Sequence, residues 1–257
     1  MKARNILLIT ATITPPLGAS SLLHIDPNIR IKEYEKSLIF YLSFIGKYID
    51  NIVFAENSNS DISSLRDIAI KHGVEKQVEF LVWYGLDYPP SYSRAYGEFK
   101  LIDYVMQHSQ IISDYQEQQI VIWKITGRYI ANNIAKIISC QPKKFDLYIN
   151  FRNYPLRWAD MYLFAWTLKG YQSYLNNVAS KVKIGEQEAK QGQSPEELFR
   201  QYLESKSVEN VKLIQRFNIT PQNSGIRGYD GKNYTKDLGW KFYIRRIALT
   251  LFPWIWI

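Results

Sequence analysis

Short apolar runs alternate with stretches of helical periodicity through the first 150 residues of the chain. Residues 6–9 (Ile-Leu-Leu-Ile) are apolar at every position, which is typical of a strand buried on both faces of a parallel sheet. Residues 30–48 follow with apolar side chains at helical spacing. Further strands are predicted at residues 50–55, 78–83, 119–125 and 145–150, with helices at 60–72, 97–109 and 130–139. This order predicts an α/β fold in which helices flank a mostly parallel, right-handed sheet.

After residue 150 the alternation weakens. Residues 160–175 are rich in aromatic side chains and suit a strand that leads into a helix. Ser194 followed by Pro195 indicates the start of another helix, with proline at its first position. Residues 221–234 are rich in glycine and asparagine and therefore predict a loop.

The end of the chain, residues 240–257, combines tryptophans with basic side chains. It holds three of the seven tryptophans, and an uncharged run begins at Ile247. Trp and Tyr prefer the headgroup region of a bilayer, and Lys241, Arg245 and Arg246 would contact acidic lipid phosphates. We expect this amphipathic segment to lie on a membrane without crossing it, because no stretch approaches the ~20 apolar residues of a span. The alternative is a terminal helix packed into the protein's own core.

Composition and charge narrow the classes of protein. The 257 residues are 46% hydrophobic and 22% charged, a globular composition that excludes a disordered or low-complexity protein. The formal net charge of +8 favours anionic partners, such as nucleic acid, phosphate-bearing ligands or an acidic membrane surface. The single cysteine, Cys140, cannot form an internal disulfide, which fits a reducing compartment.

Polar side chains follow three of the predicted strands, at the edge where open α/β sheets bind their ligands. Thr10, Thr12 and Thr14 follow the first strand, Glu56, Asn57 and Ser58 the second, and Lys124, Thr126, Gly127 and Arg128 the fourth. Any one of the Ser, Thr and Asn residues could instead cap the helix that follows it. We expect these polar side chains to lie together at one edge of the sheet, which favours a binding site there.

The segment from Arg94 to Lys100 places Gly97 where a loop enters a helix, with cationic side chains nearby. Such a helix start can hold a phosphate group. The segment has neither the GxGxxG nor the GxxxxGKS/T pattern, so it does not predict a dinucleotide or P-loop site. Glu98 is either a ligand contact or a first-turn carboxylate that favours the helix dipole. The histidines and the cysteine are spaced too far apart for a zinc site.

Asp160 is the strongest candidate for a catalytic carboxylate. It lies among aromatic side chains at residues 154–164, and an apolar setting makes a carboxylate a stronger base. The alternative is an ion pair with Arg157, which lies three residues earlier. Glu196 and Glu197 are weaker candidates, since first-turn glutamates suit a helix start without any function.

Five short segments carry a family resemblance. They are Thr-Ala-Thr-Ile-Thr-Pro at 10–15, Phe-Ala-Glu-Asn-Ser at 54–58, Arg-Ala-Tyr-Gly-Glu-Phe-Lys at 94–100, Trp-Lys-Ile-Thr-Gly-Arg-Tyr at 123–129 and Phe-Asp-Leu-Tyr-Ile-Asn-Phe-Arg at 145–152. Together they resemble the bacterial cell-surface polysaccharide glycosyltransferases of the GT-A type, which act in capsule and O-antigen assembly. The resemblance extends to about Tyr234.

This resemblance implies a GT-A-like, Rossmann-type domain over residues 1–238. Its nucleotide-sugar half would span about 1–150 and its acceptor half about 151–238, followed by the amphipathic tail at 239–257. Near the base and ribose of the donor, with a UDP-sugar favoured, the resemblance places Thr12, Glu56 and Asn57. Further donor contacts would come from Tyr96, Gly97, Glu98, Lys100, Lys124, Thr126, Gly127 and Arg128.

The turn at residues 124–128 departs from the family pattern. Many such enzymes carry Asp-x-Asp here, whereas Lys-Ile-Thr-Gly-Arg has no carboxylate to hold a divalent metal. Cations could instead neutralise the leaving diphosphate, namely Lys124 and Arg128 in this turn and Arg227 or Lys232 in the later glycine-rich loop. We therefore expect transfer without a metal or other cofactor, although the resemblance leaves room for a divalent metal.

The implied reaction is displacement at the anomeric carbon, with Asp160 taking the proton of the acceptor hydroxyl. If the anomeric configuration is retained, Asp160 would only orient the acceptor. The acceptor would be a lipid-linked or other glycan, which places the protein at the cytoplasmic face of the cell membrane with no nucleic-acid partner. Two alternatives stay open: a basic nucleic-acid-binding or non-enzymatic interaction protein, and a nucleotidyltransferase, whose chemistry normally needs paired metal-binding carboxylates.

Overall fold

The computed structural model describes residues 3–16, 25–115, 119–154, 156–185, 188, 190–226, 232–236, 239–252 and 256. The strands are β1 (Arg4–Ala11), β2 (Asn51–Glu56), β3 (Val78–Val82), β4 (Ile120–Thr126), β5 (Ile130–Ala131), β6 (Leu147–Arg152), β7 (Trp158–Trp166), β8 (Leu213–Ile214) and β9 (Asn223–Ser224). The helices are α1 (Pro27–Leu42), α2 (Ser63–Lys71), α3 (Arg94–His108), α4 (Gln110–Asp114), α5 (Ile134–Ser139), α6 (Leu168–Gly170), α7 (Pro195–Ser205) and α8 (Gly239–Leu251).

The main sheet has the strand order β3-β2-β1-β4-β7-β6-β8. Strands β1 to β4 run parallel to one another, and β8 runs parallel to β6. Strand β7 runs antiparallel to both of its neighbours, β4 and β6. The predicted α/β fold, with a mostly parallel, Rossmann-like sheet flanked by helices, is therefore confirmed.

The apolar run of β1 is buried because helices cover both faces of the sheet. Ile6 and Leu8 belong to the core on one face, which α3 and α7 cover, whereas Leu7 and Ile9 belong to the core on the other, which α1, α2 and α5 cover. Successive strand residues point to opposite faces, so a strand inside such a sandwich must be apolar throughout. This requirement explains why residues 6–9 form a continuous apolar run rather than an alternation of apolar and polar residues.

Several helix boundaries differ from the prediction because of local capping. Helix α1 begins at Pro27 rather than at residue 30, since the Asp26 side chain accepts a hydrogen bond from the backbone N–H of Asn28 at 2.8 Å. It ends at Leu42 rather than at 48. Helix α7 begins as predicted, and Ser194 and Glu197 cap each other's backbone N–H groups there.

The predicted helix at 130–139 is divided in the structure. Ile130 and Ala131 form β5, which pairs antiparallel with β9, and the helix α5 begins only at Ile134. The backbone N–H of Asn132 also donates to the carbonyl of Gln222 at 2.8 Å. A loop distant in sequence thus supplies the strand partner, which local periodicity could not indicate.

The turn after β4 passes close to the end of β1, and this approach requires a glycine. The backbone N–H of Gly127 donates to the Thr10 carbonyl oxygen at 2.8 Å. A Cβ at this position would lie 2.7 Å from that oxygen and 2.8 Å from Cγ2 of Ile9. Only a residue without a side chain lets the two strand ends meet at this distance.

Replacing Gly127 with alanine therefore tests the packing at this edge of the sheet. We expect G127A to lower the free energy of unfolding by about 1–3 kcal/mol, the usual cost of overpacking, as measured by urea denaturation. The matched control is G239A, because a Cβ on Gly239 would meet its nearest neighbour at 4.0 Å. Equal stability of the two variants would contradict the close approach.

Candidate active site

A cavity of about 870 Å³ opens at the carboxyl ends of β1, β2 and β4. The residues predicted from the sequence that line it are Thr12, Asn57, Glu98, Thr126, Arg128 and Asp160. Those that the structure describes outside its lining are Glu56, Tyr96, Gly97, Lys100, Lys124, Gly127 and Lys232. Arg227 lies outside the described residues. The edge of the sheet therefore gathers polar groups from three strands, as the rule for open α/β sheets predicts.

Thr12 and Asn57 form one polar end of the cavity. The Thr12 hydroxyl donates to the amide oxygen of Asn57 at 2.6 Å, and the Thr12 backbone N–H donates to the hydroxyl of Tyr34 at 3.0 Å. Nε of Arg30 donates to the Thr12 carbonyl at 2.8 Å. These contacts join the loop after β1, the loop after β2 and helix α1 into one wall.

Glu56 supports this wall from beneath. Its side chain is fully buried, and its carboxylate accepts hydrogen bonds from the backbone N–H groups of Ile13, Ser58 and Ser60 at 2.9–3.1 Å. The carboxylate thus shapes the loops that follow β1 and β2. Contact between Glu56 and the base or ribose of the donor stays a prediction. The burial of the Glu56 carboxylate does not favour that contact.

Lys124 lies under the floor of the cavity and is completely buried. Its ammonium contacts the Glu98 carboxylate at 2.5 Å, the Thr126 hydroxyl at 3.0 Å and the Met161 carbonyl at 2.6 Å. The same Glu98 oxygen accepts hydrogen bonds from Thr10 at 2.8 Å and Thr126 at 3.1 Å. Burial lowers the pKa of Lys124, and the charge of Glu98 opposes that effect. This geometry favours a role in fixing Glu98 over the predicted contact with a diphosphate.

Two buried arginines stand on the cavity wall beside Thr12. Arg30 is 4% exposed and Arg128 is 6% exposed, and Arg128 also pairs with Glu33 at 2.8 Å. Burial lowers the pKa of Arg30, and the nearby charge of Arg128 lowers it further. Two cations held this close in a wall are suited to bind an anion.

Asp160 is ion-paired, but with a different arginine from the one considered in the sequence. Its Oδ2 accepts hydrogen bonds from Nε and Nη2 of Arg152 at 2.8 and 2.6 Å and from Asn150 at 2.9 Å, while Oδ1 accepts one from the Trp158 indole at 3.2 Å. Arg157 instead pairs with Glu204 at the surface. Both carboxylate oxygens of Asp160 are thus occupied by neighbours.

Glu196 lines the same cavity and has a different environment. No side chain of the described residues forms a hydrogen bond or ion pair with its carboxylate. Burial raises the pKa of Glu196, the charges of Glu98 and Asp160 add to the increase, and Arg94 opposes it. A glutamate in the first turn of a helix gives the same sequence pattern whether it caps the helix or lines a cavity. The sequence alone therefore makes Glu196 only a weaker candidate.

Three residues of the 94–100 segment, Tyr96, Gly97 and Lys100, lie beside Tyr88, which lines the cavity. The Tyr96 ring packs on Tyr88 with their centroids 4.9 Å apart, and a Cβ on Gly97 would lie 2.0 Å from the Tyr88 hydroxyl. Lys100 pairs with Asp87 at 2.6 Å. These three predicted residues therefore position an aromatic wall, and Lys232 is exposed away from it.

Helix α8 closes one side of the cavity, which the sequence did not indicate. Lys241, Phe242 and Arg245 contribute to the lining. Burial lowers the pKa of Arg245, and the charge of Arg152 lowers it further. The terminal segment predicted as a tail therefore contributes its inner face to the candidate site.

The metal requirement stays a prediction. Among the residues that the structure describes, no group of three or more His, Cys, Asp or Glu side chains is arranged to hold a metal ion.

Comparison with solved structures finds only distant similarity. A protein described as a nucleotide-diphospho-sugar transferase, from Desulfovibrio desulfuricans, aligns over 79% of this chain and 75% of its own, at 12% identity and a TM-score of 0.44. A 4-diphosphocytidyl-2C-methyl-D-erythritol synthase aligns over 97% and 99%, at 12% identity and a TM-score of 0.40. A cytidylyltransferase from Leptospira borgpetersenii aligns over 70% and 64%, at 12% identity and a TM-score of 0.35. No family model matches the chain, and no curated protein sequence is significantly similar to it. The assignment of function therefore rests on the site itself.

Replacing Lys124 with methionine keeps the buried stem and removes the charge. We expect K124M to lower the free energy of unfolding by about 3 kcal/mol, because Glu98 loses its cation and keeps only threonine donors. Urea denaturation measures the loss, and the double variant E98Q/K124M should recover part of it by removing both charges. A K124M protein that is as stable as wild type but binds nucleotide more weakly would instead support a direct contact with diphosphate.

Proposed function

We propose that the protein is a glycosyltransferase that moves a sugar from a nucleotide-sugar donor, with a UDP-sugar favoured, to a lipid-linked or other glycan acceptor in bacterial surface polysaccharide synthesis. The observation that carries this proposal is the pair of buried arginines, Arg30 and Arg128, on the wall of a large cavity at the carboxyl edge of the sheet. The charge of Arg128 lowers the pKa of Arg30, and a bound diphosphate would offset this repulsion.

The donor would occupy the end of the cavity that strands β1, β2 and β4 supply. Thr12 and Asn57 offer hydroxyl and amide groups for the base and ribose, beside the Tyr34 ring. The diphosphate would lie against Arg30 and Arg128. In this proposal the nucleotide-sugar half would span about residues 1–150 and the acceptor half residues 151–238.

Transfer would form a bond between the acceptor oxygen and the anomeric carbon and break the bond from that carbon to the diphosphate oxygen. The diphosphate leaves with the bonding electron pair, and fixed cations stabilise its added charge. Arg94, Arg128 and Arg245 all line the cavity and can supply that charge. We therefore propose that transfer proceeds without a metal.

The outer face of α8 supports a membrane-bound acceptor. Large apolar side chains recur on this face at helical spacing and are exposed: Trp240 (59%), Ile244 (46%), Ile247 (55%) and Leu251 (61%). Arg246 of the same helix is exposed and can contact acidic headgroups, whereas Lys241 and Arg245, also predicted to contact lipid, line the cavity instead. The helix that lines the cavity would thus bind the cytoplasmic face of the cell membrane, where a lipid-linked acceptor could enter. Among the described residues, no helix has the length and apolar character needed to span a bilayer.

Nucleotide binding is the first test. We expect one of UDP, GDP or CMP, with UDP favoured, to raise the thermal midpoint in the presence of EDTA, because a ligand at 100 times its Kd stabilises a protein by about 2.7 kcal/mol. In R128Q the Kd should rise about 10- to 100-fold, as one charged hydrogen bond is lost. R157Q is the matched control, since Arg157 pairs at the surface with Glu204.

Two results would contradict this part of the proposal. No shift with any nucleotide, together with salt-sensitive binding to unrelated nucleic acid, would favour a nucleic-acid-binding protein. A shift that requires manganese would contradict transfer without a metal.

Vesicle sedimentation tests the membrane proposal. We expect wild type to bind vesicles of phosphatidylcholine with phosphatidylglycerol, and the triple variant W240S/I247S/L251S to bind at least about tenfold more weakly, since it exposes less apolar surface to the bilayer. The control I25S/I29S/I70S removes three exposed isoleucines elsewhere. Equal loss in both triple variants, or none in either, would contradict binding through α8.

A further inference from the structure

Four carboxylates line the cavity, Glu98, Asp160, Glu196 and Glu197. Two of them are ion-paired, and Glu197 accepts the Ser194 N–H in the helix cap. Glu98 pairs with Lys124 at 2.5 Å, and Asp160 pairs with Arg152 at 2.6 Å. Glu196 has no such cation within hydrogen-bonding distance among the described residues. Its proton affinity is therefore set by the cavity rather than by an ion pair.

Glu196 is held in place by the helix that carries it. It is the second residue of α7, which packs against β7, and the buried Phe199 ring lies 4.8 Å from Phe99 between ring centroids. The capping box at the start of α7 uses Ser194 and Glu197, whose carboxylate accepts from the Ser194 N–H at 2.8 Å. Both glutamates line the cavity, but the Glu197 carboxylate is used in the capping, whereas that of Glu196 is not.

We infer that Glu196, rather than Asp160, is the catalytic base that takes the proton from the acceptor hydroxyl. This inference rests on the proposed function. As the acceptor oxygen bonds to the anomeric carbon, its proton moves to the Glu196 carboxylate, and the nucleoside diphosphate departs with the electron pair of the broken bond. No further reactant is needed.

The partners of the two carboxylates distinguish their roles. Asp160 accepts hydrogen bonds from Arg152, Asn150 and Trp158, and taking a proton would neutralise the charge that pairs with Arg152. Asp160 thus acts as a positioning residue for Arg152, close to where α8 brings Arg245.

The charged groups that face Glu196 include two carboxylates and two cations. Arg94 and Glu98 face it from α3, Asp160 from β7 and Lys124 from β4. Burial raises the pKa of Glu196, the two carboxylates raise it further, and Arg94 opposes them. A carboxylate with a raised pKa is a stronger base than an ordinary one, yet it is still ionised above that pKa.

The test measures UDP release from UDP-sugars, with water as the acceptor, in wild type, E196Q and the matched control E197Q. Glutamine can still cap a helix start, so E197Q should stay within a few-fold of wild type. In E196Q we expect kcat to fall about 100- to 10,000-fold with donor affinity unchanged. The wild-type rate should fall as the pH drops through the pKa of Glu196, and E196Q should lack this acidic limb.

Two further measurements separate a base from a structural role. Because the raised pKa makes the ionised Glu196 destabilising at neutral pH, E196Q should have a higher thermal midpoint than wild type at that pH. The difference should vanish below the ordinary pKa range of a carboxyl group.

Azide can replace water as the attacking group, and it has no proton to lose. It should therefore restore UDP release in E196A toward the wild-type rate.

The outcomes distinguish this assignment from the proposed function. If wild type releases no UDP from any UDP-sugar, the proposed function fails, and the assignment fails with it. If wild type is active while E196Q keeps its rate and its acidic limb, only the assignment of Glu196 is overturned. If E196A loses activity and azide does not restore UDP release, that result would also contradict the assignment of Glu196 as the base.

Discussion

A buried ammonium must have its charge and its protons satisfied where water does not reach, and at Lys124 this requirement fixes the floor of the site. One side chain on β4 contacts Glu98 on α3 and the Met161 carbonyl on β7, and Glu98 in turn accepts a hydrogen bond from Thr10 on β1. Three strands and a helix are thereby held in one arrangement. The cavity is the space above this network, and its depth and shape depend on it.

Above the floor, the wall of the cavity carries both cations and carboxylates. Arg30 and Arg128 line it beside Thr12, and Glu196 lines it at the start of α7. Two of these charges carry a cost: the charge of Arg128 disfavours that of Arg30, and the charges of Glu98 and Asp160 disfavour the ionised form of Glu196. Sites that react with substrate commonly accept such a cost, because the bound ligand provides the missing charge and hydrogen-bond partners.

The sequence predicts the fold well because the buried sheet imposes a simple rule, an apolar residue at every position of β1. The same approach finds Thr12, Asn57 and Arg128, which follow strands and therefore reach the cavity. It cannot identify the partner of Asp160, because the pairing with Arg152 depends on how β6 and β7 align. Nor does it separate Glu196 from Glu197, since both suit a helix start and only the structure shows that Glu197 is the one engaged in the helix cap.

The central claim is that the arginine wall binds the diphosphate of a sugar donor and that the anomeric carbon then lies beside Glu196. A crystal structure of the complex with a non-hydrolysable UDP-sugar analogue tests this most directly. The account predicts diphosphate oxygens within hydrogen-bonding distance of Arg30 or Arg128 and the sugar between them and the Glu196 carboxylate. A donor bound with its diphosphate elsewhere, or with its sugar directed away from Glu196, would contradict the account.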